Sequence, residues 1–358
     1  MFRIRSRCAQ EGRVPARRIA EGVPSNVKNR IAPLICLAAA VAATLSAPLA
    51  WATSCTTQGM MNAADRASLV AFSDPLADAV ATGDTNAVHA ALLPAISGDW
   101  DSIRGVVLSA HPLFVGGKLR WRTIYLLDAS DQKAPQDTEF FCTNAENTIT
   151  VTINLQNLPP GRYALMLGDY VGAPLAGQIA MILSDSAGWK LGGLYAREGA
   201  LDGRDGVAYW KQARAAAATT DNWSAWFSYD VARWLLLPVN FLSSPNLQKL
   251  EAEQQQVSPP SQSLPLVLSL SPGGSGPSWK LTDVHLDTSL HSADVALTYE
   301  GSGTTDPVAA RAEAVNVMTA LLRIHPGLRK NFHGLWAYAQ KNGSQTFAIE
   351  LPMAQIPE

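Results

Sequence analysis

The sequence has few charged residues and no excess of either sign. Only 16% of its 358 residues are charged, and the formal net charge is −2. Proteins that bind DNA or RNA usually carry a clear basic excess, so the composition argues against that class. Hydrophobic residues make up 47% of the chain, which is enough to bury a core and excludes wholesale disorder. Since a common domain has roughly 100–200 residues, we expect two or more cores.

Motifs for metal binding and nucleophilic catalysis are missing too. The six histidines show no i, i+4 pair, and neither Cys-x-x-Cys nor His-Glu-x-x-His occurs. Ser275 lies in a glycine-rich turn that lacks the strand-to-helix context of a nucleophile elbow and the lysine of a phosphate loop. His285 and His291 have three aspartates nearby, but we interpret them as a solvated strand edge. The sequence therefore predicts no metal ligands and no cofactor.

The chain has only one long uncharged run, and it follows a basic head. Residues 1–30 hold eight basic and two acidic residues, and no charge occurs from Ile31 to Ala64. A basic segment, an apolar run and small residues, in that order, are typical of a secretory signal peptide. Ala50-Trp51-Ala52 fits its cleavage site, so we predict a signal at residues 1–52 and a mature start at Thr53. The alternative is a retained membrane anchor, because about 20 apolar residues span a bilayer.

Export determines how the cysteines are interpreted. Cys8 and Cys36 fall in the predicted signal, which leaves Cys55 and Cys142 in the mature chain. An even pair in an oxidising compartment favours a disulfide, so we predict that these two are bonded. In the alternative, Ala52-Thr53-Ser54-Cys55 resembles the bacterial lipobox, and Cys55 would carry a lipid. We expect a periplasmic or secreted protein, attached to the membrane only if Cys55 is lipidated or the apolar run is retained.

Residues 53–199 predict helices followed by an antiparallel sheet. Helical patterns cover about residues 60–112, and the period then changes to two. Between residues 148 and 155, apolar and polar side chains alternate, as in a strand with one wet face. Turn residues separate five or six such strands. The pattern is that of an α+β domain.

This first domain resembles the nuclear-transport-factor-2-like (SnoaL-type) cone over about residues 60–198. The resemblance is carried by Ala81-Thr82-Gly83-Asp84 and Ala90-Ala91-Leu92-Leu93, followed by a sheet that ends in Trp189-Lys190-Leu191. It implies an α+β cone of a superfamily that includes isomerases, dehydratases and non-catalytic binding modules. Its enzymes place an acid, a histidine or a tyrosine in an apolar cavity, which makes Asp169 and Tyr125 the candidate catalytic residues. A carboxylate in such a cavity has a raised pKa and acts as a base, whereas Asp169 in a solvated turn does not.

Residues 200–256 predict a helical hairpin followed by one more helix. Ala225, Tyr229, Ala232 and Pro238 resemble the second helix of a tetratricopeptide unit, over about residues 205–239. Roughly three repeats are needed for a free-standing array, so a single unit must pack against a neighbouring domain.

Aromatic residues are dense on this hairpin and near the end of the chain. Trp226 and Trp234 on the hairpin and Trp336 in the last domain are candidate binding residues, because Trp is favoured at interfaces. The alternative is core or interdomain packing.

A polar linker at 257–263 precedes a second α+β domain at 264–358, with the predicted order βββ-α-ββ. Asp306-Pro307 is a typical helix start, and the helix is expected to end at Ile324. Asn342-Gly343 predicts a tight hairpin. The helix carries apolar residues over most of its girth, and we expect one face to meet the sheet through Leu297, Trp336 and Ile349.

The sequence predicts where the protein goes more clearly than what it does. The whole chain resembles uncharacterised secreted bacterial proteins, which implies no activity. We expect an exported bacterial envelope protein with a binding or scaffolding role. Its expected partner is another envelope protein or a small apolar ligand, and not a nucleic acid. The alternative is an isomerase- or lyase-like enzyme that acts on a small apolar ligand in the cone-like domain.

Overall fold

The computed structural model describes residues 53–144, 146–271 and 276–358, which belong to one compact unit. The predicted signal peptide with its cleavage site, and the turn that holds Ser275, lie outside these residues. Within the described ranges, no helix combines the length and the apolar character that a membrane span requires. The structure is α+β, as the sequence predicted.

The first core is built from helices on an antiparallel sheet, with a smaller sheet beside it. The helices are α1 (Ala63–Thr82), α2 (Thr85–Ala90) and α3 (Trp100–Phe114). The five-stranded sheet has the order β1-β2-β5-β6-β7, with β1 (Ser54–Thr57), β2 (Lys118–Asp128), β5 (Arg162–Val171), β6 (Gly177–Asp185) and β7 (Trp189–Glu198). The three-stranded sheet has the order β10-β4-β3, with β3 (Gln136–Thr143), β4 (Thr150–Leu158) and β10 (Leu242–Ser243).

Strand alternation explains why β5 is buried on both faces. Ala164 and Met166 belong to the buried cluster that includes the helices, and Leu165 and Leu167, which point to the opposite face, are buried as well. Tyr170 stacks on Phe114 of α3 at 4.1 Å between ring centroids. A strand with two covered faces needs a nearly continuous apolar run, which is what residues 163–167 provide.

A disulfide joins Cys55 of β1 to Cys142 of β3 and so ties the two sheets together. The predicted pairing is confirmed. The lipidated alternative is wrong, because a sulfur atom in a disulfide has no free valence for a lipid. The bond holds the first described strand, which has only four residues, at the edge of the larger sheet.

The second core combines the helical hairpin with another sheet. Two short strands, β8 (Ala200–Leu201) and β9 (Arg204–Asp205), lead into α4 (Gly206–Ala218), α5 (Asn222–Leu236) and α6 (Pro245–Gln254). The sheet has the order β11-β12-β13-β14-β15, with β11 (Leu266–Ser269), β12 (Ser278–Asp287), β13 (Asp294–Glu300), β14 (Gly334–Lys341) and β15 (Ser344–Pro352). Between β13 and β14 lie α7 (Pro307–Ile324) and the short α8 (Gly327–Asn331), and these two strands pair in parallel.

Helix α7 begins where the sequence predicted and covers one face of this sheet. The Asp306 side chain accepts a hydrogen bond from Val308 N at 3.0 Å, and Pro307 occupies the first turn. Residues 317–322 are all buried, as expected of a helix that is apolar over most of its girth, but at its ends Val308 is 75% exposed and Ile324 is 48% exposed. The expected contact of the helix with Trp336 is also wrong, since Leu335 and Ala337 face the helix side and Trp336 lies between them in sequence.

One buried cluster runs from Leu201 to Ile356 and includes the hairpin, the sheet and α7. The predicted linker is packed against this cluster. Val257 belongs to the cluster, and Pro260 is buried as well. Whether residues 53–199 and 264–358 fold as separate domains stays a prediction.

Candidate functional site

The two candidate catalytic residues of the first core lie apart. On β5, Asp169 is paired with Arg120 of β2, whereas Tyr125 is paired with Leu165. Four residues of a strand span about 13 Å, so the two side chains do not form one constellation. Asp169 forms an ion pair with Arg122 at 2.9 Å between Nη1 and Oδ1.

Tyr125 is 3% exposed, and burial raises its pKa to about 12, a shift that the charge of Arg122 opposes. Its phenol is therefore protonated at neutral pH. The buried phenol and the ion-paired carboxylate thus lie apart along the sheet, and a catalytic role for either one stays a prediction.

The candidate binding tryptophans of the hairpin contact other parts of the same chain. Trp234 donates from Nε1 to Glu198 Oε2 at 2.9 Å, and the guanidinium of Arg197 lies 4.5 Å from its ring. Glu198 is also bonded to His291 Nδ1 at 2.8 Å. Trp226 packs, half-buried, against the second core. These contacts hold α5 between β7 and the turn before β13.

The strongest grouping of polar and aromatic side chains lies on the sheet of the second core, on the face opposite α7. Side chains of paired residues point to the same face, so the register defines its members. We call this surface the polar face. It consists of Asp283, His285 and Asp287 on β12, Asp294, Ala296 and Thr298 on β13, Trp336 and Tyr338 on β14, and Ala348 and Glu350 on β15.

An aromatic pair stands at the centre of the polar face. The rings of Trp336 and Tyr338 are parallel within 8°, with centroids 5.7 Å apart. Next to them on β13 lie the smaller side chains of Ala296 and Thr298. Trp336 Nε1 is buried and has no hydrogen-bond partner among the described residues. Burial, followed by the charge of Asp287, raises the pKa of Tyr338, which keeps this phenol neutral.

Asp294, His333 and Glu350 form a cluster at one end of the polar face. His333 Nδ1 lies 3.0 Å from Asp294 Oδ1 and 4.0 Å from Glu350 Oε1. Three such side-chain atoms, one from each residue, lie within 4.8 Å of one another. The Asp294 side chain is 1% exposed, and Ser292 Oγ donates to its second oxygen at 2.8 Å.

Glu350 is the incompletely satisfied member of this cluster. Its Oε1 atom is buried and accepts no hydrogen bond from the described residues. Burial raises the pKa of Glu350, the charge of Asp294 raises it further, and His333 lowers it. Two carboxylates thus face one imidazole in a poorly hydrated place, an arrangement that attracts positive charge.

Gly334 makes the cluster possible. A Cβ atom at this position would lie 2.6 Å from Glu350 Oε1 and 3.0 Å from Asp294 Oδ1. Gly334 pairs with Asp294 on one side and with Pro352 on the other, so its missing side chain leaves room for the two carboxylates.

Sequence reasoning missed this cluster because its members are far apart in the chain and on three different segments. His285 and His291, which the sequence analysis considered together, have different partners in the structure. His285 is hydrogen-bonded to Asp283 at 2.8 Å, whereas His291 is hydrogen-bonded to Glu198. The available signal was His333-Gly334, a polar residue and a glycine at the start of an otherwise apolar strand. That signal has no meaning until the register of β13, β14 and β15 is known.

No protein-family model, curated protein or solved structure matches the chain. The resemblances to the cone and to the tetratricopeptide unit therefore stay predictions. The function has to be argued from the geometry of the polar face.

Proposed function

We propose that the protein is an exported component of the bacterial envelope, and that it binds a basic segment of a partner protein on its polar face. The observation that carries this proposal is the aromatic pair Trp336–Tyr338 among four carboxylates, on a face whose one lysine, Lys280, is neutralised by Glu300. Lys280, on the same strand as Asp283, forms an ion pair with Glu300 at 2.7 Å and so adds no net charge.

The chemistry of this surface suits lysine and arginine side chains. A cation over a Trp or Tyr ring gains about 0.5–2 kcal/mol, depending on how far it is desolvated. Asp283 and Asp287 can form ion pairs with the same segment, and complementary charge mainly increases the association rate and the specificity. A partner of this kind is a protein with an exposed basic stretch.

Export is supported by the disulfide between Cys55 and Cys142, because such bonds persist in oxidising compartments. The test is intact-mass analysis of the protein from the periplasm of a bacterial host that expresses the full chain. We expect a chain that starts at Thr53 and has no free thiol. A full-length protein that remains in the cytoplasm would contradict export.

The binding role is tested by fluorescence anisotropy with a labelled peptide in which lysine and arginine alternate with glycine. We expect saturable binding that weakens with salt, and no binding of the matched glutamate peptide. Trp336→Ala and the double variant Asp283→Asn/Asp287→Asn should each weaken binding about fivefold, because the ring contact contributes about 1 kcal/mol and each exposed ion pair about 0.5 kcal/mol.

The matched control is Asp101→Asn, which removes an exposed carboxylate from α3 in the first core. It should bind the basic peptide like the unmodified protein. Equal binding by all three variants would show that the polar face is not the binding surface. The enzyme alternative is less favoured, because Asp169 and Tyr125 do not meet.

A further inference from the structure

We propose that Asp294, His333 and Glu350 bind one zinc ion at the end of the polar face, with a fourth position open to solvent. This site takes Asp294 and Glu350 from the polar face, but its test is separate from that of peptide binding, which relies on Trp336, Asp283 and Asp287.

The donor set matches zinc better than magnesium or calcium. Zinc accepts imidazole nitrogen and carboxylate oxygen, whereas the other two ions prefer oxygen ligands alone. Three protein ligands with a free fourth position are typical of zinc sites that bind water or a substrate. The His333 side chain is 42% exposed, so solvent reaches the cluster from that side.

The distances are close to those of a tetrahedral site. Zinc–ligand bonds of about 2.0–2.1 Å place neighbouring ligand atoms about 3.3 Å apart. The measured separations are 3.0 Å from His333 Nδ1 to Asp294 Oδ1 and 4.0 Å from the same nitrogen to Glu350 Oε1. Since all three ligand atoms lie within 4.8 Å of one another, side-chain rotations that move Glu350 by roughly 1–2 Å close the site.

Two features of the backbone and its neighbours support a site that is built for a cation. Gly334 leaves a space between Asp294 and Glu350 that any Cβ atom would fill. Glu350 Oε1 turns into this space without a hydrogen-bond donor, which is costly for a buried carboxylate oxygen unless a cation is present.

A hydrogen bond and the strand pairing also hold the proposed ligands in place. Ser292 Oγ donates to Asp294 Oδ2, and Oδ1 faces the imidazole, where the ion would replace the hydrogen bond to His333 Nδ1. Asp294 lies on the central strand β13 and Glu350 on β15, so both are fixed by the ladders on either side of β14. Partners of this kind orient ligands and usually affect affinity by about 10- to 100-fold.

The test uses the full chain, purified without a histidine tag and stripped of metal with a chelator. Zinc chloride is then titrated against a chromophoric zinc chelator as competitor. We expect one equivalent of zinc per chain. His333→Ala and Glu350→Gln should weaken binding by more than about 100-fold, because each removes a direct ligand and not merely an outer partner.

The matched control is His285→Ala, which removes another exposed histidine from the same face, one that is bonded to a carboxylate in the same way. It should leave zinc affinity unchanged. Substitution with cobalt adds a second readout, since a tetrahedral cobalt site has a strong visible spectrum that His333→Ala should abolish. Circular dichroism shows that each variant is folded.

Two results would overturn the proposal. One is a chain that binds zinc no better than His333→Ala does. The other is equal loss of zinc in His285→Ala, which would assign the binding to scattered surface histidines. Peptide binding by Trp336 and Asp283 is measured separately, so failure of the zinc site leaves the proposed function open and failure of the proposed function leaves the zinc site open.

Discussion

Asp230 and Glu253 show how neighbouring acids on the hairpin acquire opposite properties. Burial raises the pKa of Asp230 from 3.8 to about 6, although Gln254 and Arg233 oppose the shift. Hydrogen bonds from Arg214 lower the pKa of Glu253, which also accepts from Trp210 Nε1 at 2.7 Å. The ionised carboxylate of Asp230 therefore destabilises the folded protein at neutral pH, whereas that of Glu253 stabilises it.

Asp230→Asn should stabilise the protein at neutral pH. Asp230 is ionised in the unfolded chain above about pH 4, but in the folded protein only above about pH 6, so its contribution to stability falls as pH rises between these values. Removal of the charge should increase the free energy of unfolding by about 1–3 kcal/mol at pH 7.5 and change it little at pH 4. Chemical denaturation at both pH values measures the effect.

Glu253→Gln is the matched control and should have the opposite sign. Its folded-state pKa is lowered, so the stability that it contributes is present above its unfolded pKa and is lost as pH falls through the folded value. The variant should be less stable than the unmodified protein at pH 7.5, and the difference should shrink in acid. A pH-independent effect of both variants would contradict this account.

Two glycines near α3 should respond to alanine in opposite directions. A Cβ atom at Gly177 would lie 2.6 Å from the Phe114 ring and 2.9 Å from Leu113 O, so Gly177→Ala should destabilise by about 1–3 kcal/mol. Gly105 is exposed within α3 and has open space around it, so Gly105→Ala should stabilise by about 0.5–1 kcal/mol. Thermal unfolding of the pair measures both signs.

At the scale of elements, the burial of α7 changes along its length, because residues 317–322 are all buried whereas most of its first turns are exposed. Val317 and Leu321 are fully buried against the sheet, and Val308 is 75% exposed on the same helix. Solvent therefore reaches α7 mainly in its first turns and at its last two residues.

Val317→Asp should prevent folding, whereas Val308→Asp should be tolerated. An unpaired carboxylate at the first position would be buried at a cost of several kcal/mol, which is a large part of the stability of a typical domain. At the second position it would remain in water, within the first turn of α7, where a negative charge is favourable. Soluble yield and circular dichroism distinguish the two variants.

The disulfide also contributes to stability at the scale of elements. Cys55 and Cys142 are 87 residues apart, and a loop of that length corresponds to about 4–5 kcal/mol in the chain-entropy model. The double variant Cys55→Ala/Cys142→Ala should lose roughly that amount. Unmodified protein unfolded in the presence of reductant is the control and should match the variant. Equal stability in all three conditions would show that β1 adds nothing to the first core.

At the scale of the whole molecule, the second core depends on the hairpin. Residues from α4, α5, the sheet and α7 belong to one buried cluster. Arg204 adds polar contacts across it, since it donates to Tyr209 Oη at 2.8 Å and to Asn331 O at 3.1 Å. A sheet that shares its core with a preceding hairpin has no complete core of its own.

Residues 262–358 expressed alone should therefore not fold, whereas residues 200–358 should. The shorter fragment loses the partners of Trp279 and Leu328, which pack in the shared cluster. The dispersion of amide signals in NMR spectra separates a folded fragment from a collapsed one. In the full chain, proteases should cut slowly between 254 and 261, because that segment is packed. Rapid cleavage there that releases two stable halves would contradict the shared core.

Local pattern was sufficient for the elements and for the disulfide. Alternation between residues 148 and 155 and the Asp306-Pro307 helix start depend on side chains a few residues apart, and such signals are readable from sequence. The pair Cys55 and Cys142 followed from counting the cysteines that remain after a predicted signal peptide.

Only the tertiary structure determines which side chains lie on the same face of the sheet. Trp336 alternates with apolar neighbours, so nothing local indicates whether it or Leu335 meets α7; the pairing of β14 with β13 and β15 settles that choice. The cluster of Asp294, His333 and Glu350 depends on the same register, because a shift of one residue would send these side chains to the opposite face. Sequence determined which segments form strands, and long-range pairing determined which polar side chains meet.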